Sequence, residues 1–252
     1  MGSLNSKAVD EAVLRIEGLT TSYGGITVVK DASLVVGPGD AVCIIGANGA
    51  GKSSLLQCIA GVLPIGKGEI FLDGLEVSRL APHLRAARGL FLVRERSQVL
   101  ATMSVMDNLE LVAFASARRV GKRKFSRDLE KVFDIFPKLR GKEKRIAGTL
   151  SGGEQRMVAL GQAFVANPKI MLLDEPFLGL APIVIDDLLR VIQDFRKERV
   201  SILLVEQNAS LALQMAERGY VMETGRIILE GSAETIRENE KIRAAYLGAS
   251  LT

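Results

Sequence analysis

Apolar and polar positions follow two different periods along this chain, and the places where the period changes divide it. Val42-Cys43-Ile44-Ile45 is a short, continuous apolar run rich in β-branched residues, the pattern of a strand buried on both faces. A glycine-rich turn follows at once, then Leu55-Leu56-Gln57-Cys58-Ile59-Ala60 with helical spacing, so the order is strand, loop, helix. Upstream, from Val13 to Val36, short apolar runs alternate with polar residues, as in Val13-Leu14-Arg15-Ile16 and Ile26-Thr27-Val28-Val29, and Gly24-Gly25 interrupts them. That pattern predicts antiparallel strands lying beside the first buried one. The segment Gly66 to Gly74 predicts a turn and a further hairpin strand, and Leu90-Phe91-Leu92-Val93 a second buried strand.

Past Val93 the period becomes helical over Met103 to Ala117, Val132 to Leu139 and Glu154 to Ala166, with Ser104 as an N-cap and Asp107 in an acidic first turn. Alternation then returns: a strand at Ile170-Met171-Leu172-Leu173, a helix over Ile183 to Phe195, a strand at Ile202-Leu203-Leu204-Val205, and a helix over Ala209 to Arg218. A hairpin follows in which Tyr220-Val221-Met222-Glu223 turns at Thr224-Gly225 into Arg226 to Glu230, and Ser232 to Leu247 reads as a helical tail. Strands alternating with helices imply an α/β fold with a parallel sheet covered on both faces, here joined by an antiparallel β subdomain and a helical insert. The expected organisation is a flexible leader (1–11), an α/β core with its antiparallel subdomain (12–93 and 160–231), a helical subdomain (94–159) and a helical tail (232–252).

Composition narrows the function classes. The 252 residues carry a formal net charge of +4, which suits a phosphate ligand or an acidic surface without requiring nucleic acid. Cys43 in an apolar strand and Cys58 in the next helix read as small buried hydrophobes, so no disulfide and a reducing compartment are expected. No apolar run approaches the roughly 18 residues of a spanning helix, so any work at a membrane is done from outside the bilayer. Met1-Gly2-Ser3-Leu4-Asn5-Ser6 fits the myristoylation template M-G-x-x-x-[ST], which a polar leader explains equally well. The basic run Arg118 to Lys124 reads as a solvated loop between helices, although anionic lipid or an acidic partner can use such a run.

Three strings carry chemistry. Gly46 to Ser53 fits G-x-x-x-x-G-K-[ST] between a strand and a helix. Glycines there let backbone N–H groups turn inward around a polyphosphate, Lys52 neutralises the outer phosphates, Ser53 can ligate Mg²⁺, and the helix adds its positive end. Asp174-Glu175 closes an apolar strand at its carboxyl end, where open α/β sheets bind ligands. Two adjacent acids can divide metal holding from deprotonation of a water aimed at the γ-phosphate. In Leu150-Ser151-Gly152-Gly153-Glu154-Gln155, Ser151 and Glu154 form a capping box, yet two glycines in the first turn are poor helix formers. They suit a backbone that must approach a second phosphate. Tyr23, beside the Gly24-Gly25 turn, is either a plain strand residue or a ring that stacks on a purine.

With these strings in place the chain resembles the ATP-binding subunits of ATP-binding-cassette transporters, phosphate-loop NTPases in which the hexapeptide at Leu150 is the signature motif; the likeness runs from Leu14 to Gly248. The resemblance implies ATP and Mg²⁺ as ligands. Gly46, Asn48, Gly49, Gly51, Lys52, Ser53 and Ser54 then hold the phosphates, with Tyr23 placed like the aromatic that stacks on adenine. Ser53 and Asp174 face the metal and Glu175 is the catalytic base. Ser151, Gly152, Gly153 and Glu154 complete the ATP site of a second subunit facing head to tail. More narrowly, Gly179-Leu180-Ala181-Pro182, Val205-Glu206-Gln207-Asn208, Gly219-Tyr220-Val221 and Ala245-Tyr246-Leu247-Gly248 resemble one of the two ATP-binding subunits of bacterial branched-chain amino acid importers, or their urea and amide relatives. Gln207 stands at the switch histidine, where its carboxamide can donate to the γ-phosphate but cannot carry a proton. Glu95 stands at the glutamine that senses Mg²⁺ and the permease, with unusual neighbours Arg94, Arg96 and Ser97. Ala181 replaces an aspartate and Phe177 a small residue, and the one histidine, His83, reads as a surface residue.

The implied partners are integral-membrane permease subunits, a second ATP-binding subunit and, indirectly, a periplasmic or extracellular solute-binding protein, at the cytoplasmic face of the inner or plasma membrane; no nucleic acid is expected. Two other readings are a soluble cassette ATPase acting on nucleic acid or ribosomes, which usually has two cassettes or long coiled coils, and a regulatory nucleotide-binding subunit of low turnover.

Overall fold

A computed structural model of the chain describes residues 11–94, 99–115, 122–180 and 182–247. The first half holds β1 (Leu14–Tyr23), β2 (Ile26–Val36), β3 (Ala41–Ile45), α1 (Lys52–Ile59), β4 (Lys67–Leu72), β5 (Leu75–Glu76), α2 (Pro82–Ala87) and β6 (Leu90–Val93). The helical insert contributes α3 (Val105–Ala115), α4 (Lys122–Ile135) and α5 (Gly152–Ala166). Then come β7 (Ile170–Asp174), α6 (Pro182–Lys197), β8 (Ser201–Glu206), α7 (Ala209–Met215), β9 (Arg218–Glu223), β10 (Arg226–Ser232), α8 (Ala233–Glu238) and the single turn α9 (Glu240–Ile242), with a π turn at Arg243–Leu247.

Two sheets form. One is antiparallel, in the order β2-β1-β4-β5; the other runs β10-β9-β3-β8-β7-β6 and is parallel except for the β10–β9 hairpin. β3, β7 and β8 are buried along their whole length, which explains their unbroken apolar sequences. Their side chains alternate between two cores. Val42, Ile44, Leu172, Leu203 and Val205 face a layer that also contains α1 and the antiparallel sheet. Cys43, Ile45, Met171, Leu173, Ile202 and Leu204 face the helices, including Leu109 of α3, Val132 of α4, Leu160 of α5 and Ile192 of α6. α1 is thus enclosed between two sheets. Its Leu55, Leu56 and Ile59 are fully buried, worth roughly 2 kcal/mol each.

The far end of α1 is closed by a cation. Arg85, 2% exposed, donates to the carbonyls of Cys58 at 2.9 Å, Ile59 at 2.7 Å, Ser78 at 2.7 Å and Leu80 at 3.0 Å. Two of these are carbonyls from the last turn of α1, where the helix's own N–H groups run out; the Cys58 carbonyl also accepts Gly61 N–H at 3.0 Å. Burial pulls the Arg85 guanidinium below its ordinary pKa. Both cysteines are free and buried, and burial pushes the Cys43 thiol up to about 12.

Several element ends differ from the periodic reading. The helix expected to reach Arg218 stops at Met215, because Ala216 is extended and Arg218 enters β9 opposite Val42. The helix expected over Val132 to Leu139 ends at Ile135; Pro137 has no N–H to continue it, and Pro137–Leu139 is a 3-10 turn. The basic run does not stay a loop to its end, since Lys122 opens α4, while residues 118–121 lie outside the described residues. The helical tail is broken at Asn239, whose side chain accepts from the N–H groups of Lys241 and Ile242 and caps a new turn. α5 runs unbroken across 159 and 160, so the edge read between insert and core falls inside one helix. Among the described residues no helix is long and apolar enough to cross a membrane.

Candidate nucleotide site

The carboxyl ends of β3, β7 and β8 lie side by side, and each delivers one part of the site. From β3 the chain turns through the glycine loop into α1. Gly51 caps α1 at φ 103, and a side chain there would come within 2.4 Å of the Val28 carbonyl oxygen. A side chain on Gly46 would come within 2.3 Å of the Met222 carbonyl oxygen. Only glycine fits either place. The loop is therefore wedged between β2 and the β9–β10 turn, and that wedge is fastened by backbone bonds: Gly225 N–H donates to Ala50 O at 2.8 Å and Lys30 N–H to Gly225 O at 2.7 Å.

Lys52 is buried and its ammonium donates to the carbonyls of Gly46 at 2.8 Å and Ala47 at 3.1 Å, with Glu175 Oε1 3.4 Å away. A positive charge is thus fixed in the cradle that the loop forms, where it can neutralise a polyphosphate. Ser53 Oγ donates to Asp174 Oδ1 at 2.8 Å, bringing a hydroxyl and a carboxylate together from α1 and β7. Two hard oxygens at this spacing fit Mg²⁺, which takes one or two protein ligands and completes its octahedron with phosphate oxygens and water. Among the described residues no group of three or more His, Cys, Asp or Glu could hold a metal, so the donors fit an ion shared with a nucleotide rather than one caged by protein. Glu175 follows in the left-handed region, φ 45, with its N–H bonded to Val205 O at 3.0 Å. Few non-glycine residues adopt this conformation, and it costs of order 1–3 kcal/mol.

A cleft of about 440 Å³ is lined by Asn48, Gly49, Gly51, Lys52, Ser53, Ser54, Glu175 and Gln207, with Val28 and Leu178 as apolar walls. Residues from three distant parts of the sequence thus meet around one space of ligand size. Gly46 does not line it; its carbonyl holds the Lys52 ammonium. Tyr23 does not line the cleft; it stands 69% exposed beside the turn of the β1–β2 hairpin, the hairpin that supplies Val28. Glu95 and Ala181 lie outside the described residues.

Ser151, Gly152, Gly153 and Glu154 are absent from the lining of this cleft and sit at the start of α5. Ser151 Oγ accepts from Glu154 N–H and donates to Glu154 Oε2, which also accepts Ser151 N–H at 2.8 Å, so the capping box is complete. Lys142 binds the other oxygen, and its hydrogen bond with Ser151's holds the Glu154 carboxyl down at about 2. Side chains placed on Gly152 or Gly153 would meet nothing within 4 Å. The backbone there is open to an approaching group.

Two buried charges behind the cleft were not singled out by the sequence patterns. Arg156, on α5, donates to the carbonyls of Glu175 at 2.6 Å, Pro176 at 3.2 Å and Arg94 at 2.5 Å. Glu206, at the end of β8, accepts from the N–H groups of Phe177 at 3.2 Å, Gln207 at 3.1 Å and Asn208 at 3.3 Å. Burial pushes the Glu206 carboxyl up, the Glu175 charge adds to that, and the three N–H groups oppose it. A charged residue closing an apolar strand at its carboxyl end was the one available hint for Glu206.

A family model described as ABC transporter matches residues 29–178. The chain is 39% identical over 236 residues to the high-affinity branched-chain amino acid transport ATP-binding protein BraG of Pseudomonas aeruginosa, covering 94% of this chain and 100% of the relative. A probable branched-chain amino acid transport ATP-binding protein LivF of Archaeoglobus fulgidus is 33% identical, over 94% and 99% of the two chains. The lipopolysaccharide export system ATP-binding protein LptB of Escherichia coli is also 33% identical, over 94% and 98%. Among solved structures, an ATP-binding subunit of an ABC transporter superposes with a TM-score of 0.82 at 26% identity, over 93% of this chain and 96% of the other. The ADP conformation of another ABC cassette superposes with a TM-score of 0.80 at 26% identity, over 94% and 99%. With a phosphate cradle, adjacent carboxylates and a two-glycine helix start on the fold of these cassettes, the chain belongs to the ABC transporter family as an ATP-binding, ATP-hydrolysing subunit.

Proposed function

We propose that this subunit powers import of branched-chain amino acids or a related small solute, at the cytoplasmic face of the inner or plasma membrane. As an ABC ATPase it works with membrane permease components and with a second cassette; a solute-binding protein outside the membrane completes the proposed importer. An apolar cleft of about 410 Å³, with Leu72, Leu75, Leu90, Phe91, Leu111 and Val112 in its lining, supports permease docking. Phe114, 90% exposed on α3, adds apolar surface of the kind a partner covers.

The roles are those the family resemblance implies. Tyr23 stacks on adenine. The loop from Gly46 through Asn48, Gly49 and Gly51 to Lys52, Ser53 and Ser54 binds the phosphates, and Ser53 with Asp174 holds Mg²⁺, which neutralises phosphate charge when bound. Glu175 takes the proton of a water whose oxygen bonds to the γ-phosphorus as the bond to the ADP oxygen breaks. Gln207 orients the γ-phosphate through its carboxamide. Ser151, Gly152, Gly153 and Glu154 of a second subunit cover the same ATP, so nucleotide bound at the interface favours the closed dimer over the open one.

One observation carries the catalytic reading: Lys52, Ser53, Asp174 and Glu175, from two elements, meet through contacts of 2.8 Å and 3.4 Å. Glu175→Gln removes the base and leaves the cradle, so ATP should still bind while hydrolysis falls by two to four orders of magnitude. An unchanged rate would place the base elsewhere. The solute rests on the 39% identity to the amino acid transport relative. The lipopolysaccharide export relative supports a second reading, in which the cassette powers export. ATP-dependent leucine uptake into vesicles with the cognate permeases distinguishes the two.

A further inference from the structure

The segment Glu175-Pro176-Phe177 is gripped from both sides by buried charges. On one side the Arg156 guanidinium, 5% exposed, holds the carbonyls of Glu175 and Pro176, and its third contact is the Arg94 carbonyl just past β6. On the other the Glu206 carboxylate, 4% exposed, holds the N–H of Phe177 together with those of Gln207 and Asn208. Charged groups make the stronger hydrogen bonds, and a planar guanidinium fork fixes direction as well as distance. Between them Glu175 sits at φ 45, a conformation that persists only where its surroundings enforce it.

We propose that Arg156 is a positioning residue for hydrolysis: it ties the helix that begins at Ser151 to the backbone of Glu175, with Glu206 as the opposing grip. This rests on the reading of Glu175 as the base. α5 carries the residues offered to a second subunit at its start and Arg156 on its next turn, so the same rigid helix connects the dimer face with the base. Arg94 adds the chain beyond β6 to the connection. A shift of α5 relative to the sheet therefore moves the Glu175 carboxylate with it, and the proton acceptor is in place only when the helix is seated. ATP binding does not require the Arg156 contacts, because the hydrogen bonds of Arg156 among the described residues reach Glu175, Pro176 and Arg94 and not the cradle from Gly46 to Ser54.

Lysine at 156 keeps the charge but loses the fork that spans three carbonyls. Arg156→Lys should lower kcat for ATP between tenfold and a hundredfold, the scale of a misplaced catalytic group, with KM and the equilibrium affinity for ATP unchanged. In a Glu175→Gln background the same substitution should leave the residual rate where it was, since a positioning residue has nothing left to position. A kcat equal to that of the unsubstituted protein overturns the proposal. So does an equal fold loss in both backgrounds, which marks a general structural role. If Arg156→Lys does not fold, as judged by thermal melting, Arg156→Gln, whose carboxamide still donates to a carbonyl without a buried charge, is read by the same two criteria. A fully active Glu175→Gln refutes the assignment of the base instead, so the two failures are distinct.

Discussion

Removing the cation at the end of α1 should weaken the whole protein. In Arg85→Met the aliphatic stem remains, and the carbonyls of Cys58, Ile59, Ser78 and Leu80 lose a charged donor. Cys58 O keeps the N–H of Gly61 at 3.0 Å, so its loss is partial. A hydrogen bond to a charged group contributes roughly 1.5–3 kcal/mol, and a buried carbonyl left unserved costs about 1–3 kcal/mol. Part of this is offset, because the guanidinium no longer has to be desolvated, the cost visible in its lowered pKa. The net destabilisation expected is about 3 kcal/mol, or a melting temperature lower by about 6–12 °C for a chain of this size. Thermal and urea unfolding followed by circular dichroism measure it. Since α1 begins at Lys52, ATP should restore part of the lost stability by binding the folded state. A melting temperature within about 2 °C of the unsubstituted protein would refute the claim that this guanidinium closes the helix.

Gly51→Ala places a methyl 2.4 Å from the Val28 carbonyl oxygen at a φ of 103; strain and overpacking together predict a loss of about 2–5 kcal/mol and no measurable ATP binding, checked by melting and titration. Acid should loosen the start of α5. Because Glu154 has its pKa depressed from 4.5 to about 2, its stabilisation is present above about pH 4.5 and is lost as pH falls towards 2. Urea unfolding across that window should show a smaller pH dependence in Glu154→Gln than in the unsubstituted protein.

The parts of the site that were legible in the sequence are local. Gly46 to Ser53 lies between an apolar strand and a helix, so strand, turn and helix signals confirmed one another within a few residues. Asp174-Glu175 was marked by the apolar run it ends, and Ser151 with Glu154 by the three-residue spacing of a capping box. What stayed hidden depends on contacts between remote parts of the chain. Arg85 meets Cys58 across 27 residues and Arg156 meets Arg94 across 62; in sequence Arg156 is an arginine on a helix and Arg85 one in a stretch where no element was read, and arginine is a residue type expected at a surface. The wedge of the loop against Met222 and Gly225 is likewise invisible to periodicity, because those residues belong to a hairpin far along the chain. Element ends were missed where a neighbour decides them: α7 yields Arg218 to β9 because β9 needs it for pairing with β3.

Titration calorimetry of the purified protein with ATP and Mg²⁺ tests the central claim most directly, namely that the cleft beneath Lys52 and Ser53 is a nucleotide site. Saturable binding is expected, abolished or greatly weakened by Lys52→Met while the fold survives. Absence of saturable heat, or equal affinity in Lys52→Met, would contradict it.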